Sequence, residues 1–137
     1  MVGGLVYLVD TNVWLELLLE QANEKDVRRF LREVDPTALH MTEFAFYSIG
    51  IVLLRLRKAE LFRRFVRDTL LDGGVGLIRL GPEDMVTLAE SSERFNLDFD
   101  DAYQYVAAEK YGLVLLSFDA DFDRTERGRK TPAEALP

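Results

Sequence analysis

A short apolar run, Leu5–Val9, ends on the carboxylate of Asp10 and is followed at once by a segment of helical character, Val13–Leu19. This pattern predicts a buried β-strand that leads directly into a helix. Asp10 then lies at the carboxyl end of a strand, the edge at which open α/β sheets bind ligands. Asp is also a favoured helix cap, so this stretch alone leaves two interpretations open: Asp10 binds a ligand, or it only caps the following helix.

Strand-like and helical segments alternate along the rest of the chain. Val75–Leu80 and Leu113–Leu116 predict two further buried strands, each preceded by more than a dozen residues of helical character. Connections of that length favour crossovers between parallel strands. We therefore expect an α/β fold built on a parallel sheet.

Size and composition favour one domain over residues 1–137, with 124–137 as a peripheral C-terminal segment. A chain of 137 residues, 48% of them hydrophobic, is large enough to bury about two-thirds of its unfolded surface. The absence of Cys excludes disulfides and thiolate chemistry. The sequence has no signal-type amino terminus and no apolar run of about 20 residues, so we expect a cytoplasmic protein without a membrane segment.

The net charge of -7 is unfavourable for nucleic-acid binding, which draws on Lys and Arg contacts to phosphate. If carboxylates in one pocket hold divalent cations, however, the local electrostatic potential there can attract phosphate although the net charge is negative. The basic residues from Arg55 to Arg67 interleave with apolar ones, as in an amphipathic helix, and both a solvated face and an RNA contact stay open for them. The preceding run, Phe44–Leu54, is apolar nearly all round, so it is either a central helix or a helix covered by a partner.

Four acidic residues fall where a parallel sheet would bring them to one edge. They are Asp10, Glu43, Asp101 and Asp119. Two like charges 4 Å apart repel by about 4 kcal/mol at an effective dielectric of 20, so such a cluster needs a counter-charge. Carboxylate oxygens favour Mg²⁺ or Mn²⁺. Asp98 and Asp100 are rivals of Asp101, although Asp98 suits the cap of the helix.

Other chemistries fit the sequence less well. The sole histidine, His40, has no second His or Cys to work with, which disfavours histidine-based hydrolysis. The run from Asp119 begins like a calcium-binding loop, but Arg124 stands where Gly is needed and Lys130 where Glu is needed. A metal ion can generate hydroxide and stabilise charge on phosphate with carboxylates alone.

The chain resembles the PIN-domain ribonucleases, and among them the small VapC-like toxins of toxin-antitoxin pairs. The resemblance covers essentially the whole chain. It rests on Val9-Asp10-Thr11-Asn12-Val13, Thr42-Glu43, Asp101-Ala102 with Ala107-Ala108, and Ser117-Phe118-Asp119-Ala120-Asp121-Phe122. It implies a three-layer α/β/α fold with a central parallel sheet.

The resemblance also implies the roles of individual residues. Asp10, Glu43, Asp101 and Asp119 form an acidic quartet around Mg²⁺ or Mn²⁺, with Asp10 and Asp101 foremost as direct ligands. Asp121 is a fifth ligand or a group just outside the ligands. Thr11, Asn12 and Ser117 orient the cluster by hydrogen bonds, although capping of the first helix explains Thr11 and Asn12 equally well. Ser117 stands where many relatives carry Thr, and it keeps the hydroxyl.

By the same resemblance, the protein is an endoribonuclease toxin that hydrolyses RNA phosphodiesters through metal-activated water. A small antitoxin covers the helices from Glu43 to Arg67 and carries a basic residue towards the acidic pocket, and the toxin forms a homodimer. The alternative is a non-catalytic domain of the same fold, in which the acidic pocket receives a basic partner peptide.

Overall fold

The computed structural model describes residues 4–136, so residues 1–3 and 137 of the expected domain lie outside the described part. A parallel sheet of four strands, in the order β3-β2-β1-β4, lies at its centre. The strands are β1 (Tyr7–Val9), β2 (Leu39–Thr42), β3 (Gly76–Ile78) and β4 (Val114–Leu116). Helices flank the sheet on both sides, which confirms the predicted three-layer α/β/α fold.

Seven α-helices connect and cover the strands in the described residues. They are α1 (Thr11–Leu18), α2 (Glu24–Glu33), α3 (Glu43–Arg55), α4 (Ala59–Phe65), α5 (Met85–Phe95), α6 (Phe99–Tyr111) and α7 (Pro132–Ala135). Short 3-10 turns span Pro36–Ala38, Pro82–Asp84 and Ala120–Arg124, and a π-helical turn spans Val66–Leu71. Across residues 4–136, each helix is too short or too polar to cross a bilayer.

The side chains of β1 alternate between two hydrophobic cores, one on each face of the sheet. Tyr7 and Val9 pack with α1, α2 and α3, whereas Leu8 packs with α5 and α6. Leu8 and Val9 are fully buried. The strand is therefore apolar on both faces, as expected of a central strand in a parallel sheet.

Two strands differ from the sequence-based prediction. Residues 38–41 were not predicted to form a strand, yet β2 is central and pairs with both β1 and β3. In contrast, β3 was predicted to be buried but lies at the sheet edge, where Leu77 is 44% exposed. An apolar run shows strand character without showing how many neighbours the strand has.

The basic run was predicted as one helix, but the chain forms a helical hairpin there. A turn at residues 56–58 separates α3 from α4, and Arg57 adopts a positive φ of 58°. The hairpin closes tightly because Gly50 on α3 faces the ring of Phe62, which would lie 3.1 Å from a Cβ at position 50.

The C-terminal segment lies along the free edge of β4. Lys130 pairs with Leu116, its backbone N donates to the Leu115 carbonyl at 2.8 Å, and its carbonyl accepts from Ser117 at 2.9 Å. Helix α7 then packs against α2. These contacts hold the end of β4, and with it the residues that follow the strand.

Candidate metal centre

The parallel sheet brings three acidic segments to one edge. Asp10 directly follows β1, Glu43 directly follows β2, and Asp119 lies three residues beyond β4. Asp101 lies in the first turn of α6. Asp10 and Asp119 follow strands that the sequence predicted, and Glu43 and Asp101 lie at predicted helix starts.

Asp10 is only 6% exposed, and both oxygens of its carboxylate accept hydrogen bonds. Oδ1 accepts from the backbone N of Thr11 at 2.8 Å and from Nε2 of Gln104 at 3.1 Å. Oδ2 accepts from Oγ of Ser117 at 2.7 Å and, at a longer 3.5 Å, from Nδ2 of Asn12. Asp10 is also the N-cap residue of α1, so its capping and site roles are compatible.

The hydroxyl of Ser117 connects the end of β4 to the start of α1. Besides donating to Asp10, Oγ accepts from Nδ2 of Asn12 at 3.2 Å and from the backbone N of Asp119 at 3.0 Å. Asn12 completes the connection, because its Oδ1 accepts from the backbone N of Phe118 at 3.2 Å. Ser117 is fully buried, so water cannot replace these contacts.

We expect Ser117→Ala to lower the free energy of unfolding by about 1–3 kcal/mol, because it leaves buried partners without their hydrogen bonds. Ser48→Ala is the matched control. The Ser48 hydroxyl donates only to the Phe44 carbonyl within α3, so its loss should cost less than about 0.5 kcal/mol. Urea denaturation measures both, and equal losses would contradict the role given to Ser117.

Three carboxylates converge beside Asp10. One oxygen each from Asp101, Asp119 and Asp121 lies within 4.8 Å of the other two. A tight turn brings Asp121 into this group, since Oδ1 of Asp119 accepts from the backbone N of Asp121 at 2.9 Å. Asp121 also contacts Arg124, whose Nη1 donates to Oδ1 of Asp121 at 3.1 Å.

Crowding of these acids raises pKa values. The pKa of Asp101 rises to about 7, first because of burial, then because of its hydrogen bond with Asp119 and the repulsion from Asp119, Asp10 and Asp121. Burial also raises the pKa of Asp10, although hydrogen bonds from Ser117, Thr11 and Gln104 oppose that effect. The fold thus holds like charges close together, an arrangement that a cation would stabilise.

The carboxylate group fits a hard divalent cation. Mg²⁺ holds oxygen ligands at about 2.0–2.1 Å in octahedral geometry, which puts neighbouring oxygens about 3 Å apart and opposite ones about 4 Å apart. Oxygens within 4.8 Å of one another need only a small closure to reach those distances. The donors are all carboxylate oxygens, which suit Mg²⁺ or Mn²⁺ rather than soft metals.

Asp10 and Asp101 line a common cavity of about 200 Å³. Its other lining residues are Thr11, Asn12, Leu15, Phe44, Ser48, Asp100 and Gln104. Asp98, one rival of Asp101, is exposed and occupies the N-cap position of α6. Asp100, the other rival, lines the cavity but is exposed, whereas Asp101 is half-buried and belongs to the three-carboxylate group.

Glu43 is not one of the three carboxylates that converge in the described residues. It is half-buried at the start of α3, where Oε2 accepts from the hydroxyl of Tyr47 at 3.4 Å. Among the residues that the structure describes, the three-carboxylate group includes neither Glu43 nor Asp10. The structure therefore brings Asp101, Asp119 and Asp121 together beside Asp10, and Glu43, at the start of α3, is not one of these three.

Sequence reasoning missed Gln104. Its side chain, 2% exposed, donates to Asp10 and accepts from Oγ1 of Thr42 at 2.6 Å. The sequence did contain one signal. Within residues 102–108 every other side chain is apolar or aromatic, and Gln104 lies about one helical turn after Asp101. A buried amide at such a place needs polar partners.

Comparison with known proteins gives consistent results. FitAB bound to a DNA fragment superposes with a TM-score of 0.82 at 17% identity, over 96% of this chain and 99% of that one. A toxin-antitoxin complex from Klebsiella pneumoniae gives 0.73 at 16% identity, over 93% and 98%. The sarcin-ricin loop cleaving toxin VapC20 of Mycobacterium tuberculosis gives 0.70 at 20% identity, over 85% and 92%.

These structures share the fold of the chain at low sequence identity. None of the curated proteins compared with the chain matches it. The family model of the PIN domain, however, matches residues 7–128, which include every strand of the sheet and all the acids discussed above. The chain therefore belongs to the PIN domain family.

Proposed function

We propose that this PIN domain is a divalent-metal-dependent endoribonuclease and the toxin of a toxin-antitoxin pair. The observation that carries the proposal is the convergence of Asp101, Asp119 and Asp121 within 4.8 Å, next to the buried carboxylate of Asp10. Membership of the PIN family and structural similarity to toxins, one of them named as cleaving the sarcin-ricin loop, support the same assignment.

Asp101, Asp119 and Asp121 would hold Mg²⁺ or Mn²⁺, with Asp10 as a further ligand from the buried side. The bound ion would supply positive charge for the phosphate and lower the pKa of water, so that hydroxide is available near neutral pH. Glu43 would be a further acidic member of the site, because it directly follows β2 and precedes Phe44, which lines the cavity.

The protein's own residues would orient the site. Thr11, Asn12, Ser117 and Gln104 hold the carboxylate of Asp10 by hydrogen bonds, so that it does not rotate away from the cavity. Preset ligands of this kind reduce the reorganisation that a reaction would otherwise require. The cavity is small, which favours an extruded or single-stranded nucleotide over a duplex.

The partner part of the proposal rests on helix α3. Tyr47, Ile51 and Leu54 are 59%, 52% and 54% exposed and recur at helical spacing. An apolar stripe of this kind favours coverage by another chain, because single exposed residues are common but aligned ones are not. We propose that an antitoxin covers the α3–α4 hairpin and directs a basic residue to the acidic cavity, and that the toxin is a homodimer.

Adding Mn²⁺ to the EDTA-treated protein is expected to produce cleavage of a structured RNA pool and to raise the melting temperature. The ion stabilises the folded protein because it relieves repulsion between the carboxylates. The gain is about 2.7 kcal/mol when the free Mn²⁺ concentration is a hundred times its Kd. Ca²⁺, which prefers more ligands at longer distances, is the matched control for cleavage. A stability gain without RNA cleavage would contradict the enzyme and favour the non-catalytic binding domain.

A further inference from the structure

A buried amide connects three of the segments that carry the predicted acids. Gln104 lies on α6, one turn after Asp101, and its Nε2 donates to Oδ1 of Asp10 at 3.1 Å. Its Oε1 accepts from Oγ1 of Thr42 at 2.6 Å, and Thr42 directly precedes Glu43. Gln104 is 2% exposed and Thr42 is fully buried, so water does not compete for these contacts.

The carboxylate of Asp10, which only accepts, and the hydroxyl of Thr42, which has a proton to donate, together determine the orientation of the amide. An amide has an accepting oxygen and a donating NH₂ group of nearly the same shape, so its orientation depends on its partners. Oγ1 of Thr42 accepts from the backbone N of Ala45 at 2.9 Å, which leaves its proton to be donated to Oε1 of Gln104. The NH₂ group then points to Asp10, whereas a flipped amide would place two acceptors against each other.

The carboxylate of Asp10 is thereby held from both sides. Gln104 and Thr11 donate to Oδ1, and Ser117 donates to Oδ2. Without Gln104, Oδ1 would keep only the bond from the backbone of its own neighbour. The plane of the carboxylate would then be fixed mainly by Ser117 and would have more freedom to rotate.

We propose that Thr42 and Gln104 form a positioning pair that presents the carboxylate of Asp10 to a divalent cation. This inference rests on the proposed metal-dependent function and adds two residues that do not themselves touch the ion. Groups that orient metal ligands typically change metal affinity by about 10- to 100-fold when they are removed.

Gln104→Met tests the pair with little change in side-chain length and no polar atoms. Its Kd for Mn²⁺, measured without RNA by electron paramagnetic resonance of the free ion, is expected to rise by about 10- to 100-fold. Thr42→Val removes the hydroxyl at nearly constant volume and should raise the Kd similarly. Thr42→Ser keeps the hydroxyl and should restore the wild-type Kd.

Thr42 also caps α3, so a double-mutant cycle is needed to separate its two roles. If Thr42 acts on the ion through Gln104, Thr42→Val has no further effect on the Mn²⁺ Kd in the Gln104→Met background. Loss of the cap, in contrast, lowers the melting temperature of the metal-free protein in both backgrounds. If the double variant instead raises the Mn²⁺ Kd by the product of the two single effects, the residues act independently and the proposed positioning pair is wrong.

RNA cleavage gives a second readout. Gln104→Met and Thr42→Val should each lower kcat with little change in KM. An unchanged Mn²⁺ Kd in Gln104→Met overturns the inference and leaves the nuclease intact. Should Gln104→Met fail to fold, as judged by circular dichroism, equal Kd values for Thr42→Val and Thr42→Ser overturn it instead. Absence of Mn²⁺ binding by the wild-type chain would overturn the proposed function itself.

Discussion

Replacing Asp101 by Asn is expected to lower the Mn²⁺-dependent rate of RNA cleavage by at least about 100-fold, equivalent to about 3 kcal/mol of transition-state stabilisation. Within residues 4–136, Asp101 alone both belongs to the three-carboxylate group and lines the cavity with Asp10. An amide keeps the size of the side chain but lacks the negative charge that holds a cation. Single-turnover cleavage of a labelled RNA measures the effect on chemistry.

The same variant is expected to be more stable than the wild type when metal is absent. The raised pKa of Asp101 shows that its charged form is unfavourable beside Asp119, Asp10 and Asp121. An uncharged amide removes that repulsion, so the melting temperature in EDTA should rise at pH 8. A gain in stability together with a loss of activity is typical of residues retained for function.

Asp100→Asn is the matched control for both measurements. Asp100 precedes Asp101 on the same helix, lines the same cavity and has the same side chain, but it is exposed and outside the three-carboxylate group. We expect its cleavage rate to stay within a few-fold of the wild type. Equal loss of activity in the two variants would mean that net charge near the cavity, rather than a ligand, supports the reaction.

The sequence was sufficient to predict the sheet edge at which the acids gather. β1 and β4 are short apolar runs with polar or acidic residues directly after them, so both strand type and direction follow from local pattern. β2 was missed because polar residues, His40 and Thr42, make up half of its four positions, so it is not a continuous apolar run. Its strand character comes from pairing with β1 and β3, which local sequence does not show.

The detailed membership of the site depends on tertiary structure. Asp121 joins Asp119 and Asp101 through a turn after β4, and no periodicity predicts where that turn directs a side chain. Gln104 acquires its role because α6 crosses the end of β1 close to Asp10. Glu43 begins α3, as the sequence predicted, but among the described residues it is not one of the three carboxylates that converge, and its Oε2 accepts a hydrogen bond from the hydroxyl of Tyr47.

The metal-free protein is expected to lose stability as the pH rises from 5 to 8. The carboxyl of Asp101 has a pKa of about 7 in the folded chain and an ordinary value of 3.8 when unfolded. Between those values the folded state binds the additional proton, so the free energy of unfolding falls with rising pH and levels off above about 7. Burial raises the pKa of Asp10 too, which acts in the same direction.

The expected loss is about 2 kcal/mol, because solvent around a half-buried carboxylate reduces the full value of 1.36 kcal/mol for each pKa unit. Carboxyls with lowered pKa values have the opposite pH dependence. They are Asp35, Asp84 and Glu134, and they are already ionised at pH 5. Urea denaturation at several pH values from 5 to 8, in EDTA, therefore isolates the acidic site.

Two variants and one ion identify the origin of the pH dependence. Asp101→Asn should remove most of it, whereas His40→Gln, which replaces the only histidine, should leave it largely unchanged. Saturating Mn²⁺ should reverse the trend, because the ion competes with protons for the carboxylates and binds more tightly as the pH rises. A decline that persists in Asp101→Asn would place the titrating group elsewhere and remove the electrostatic argument for a metal centre at this edge of the sheet.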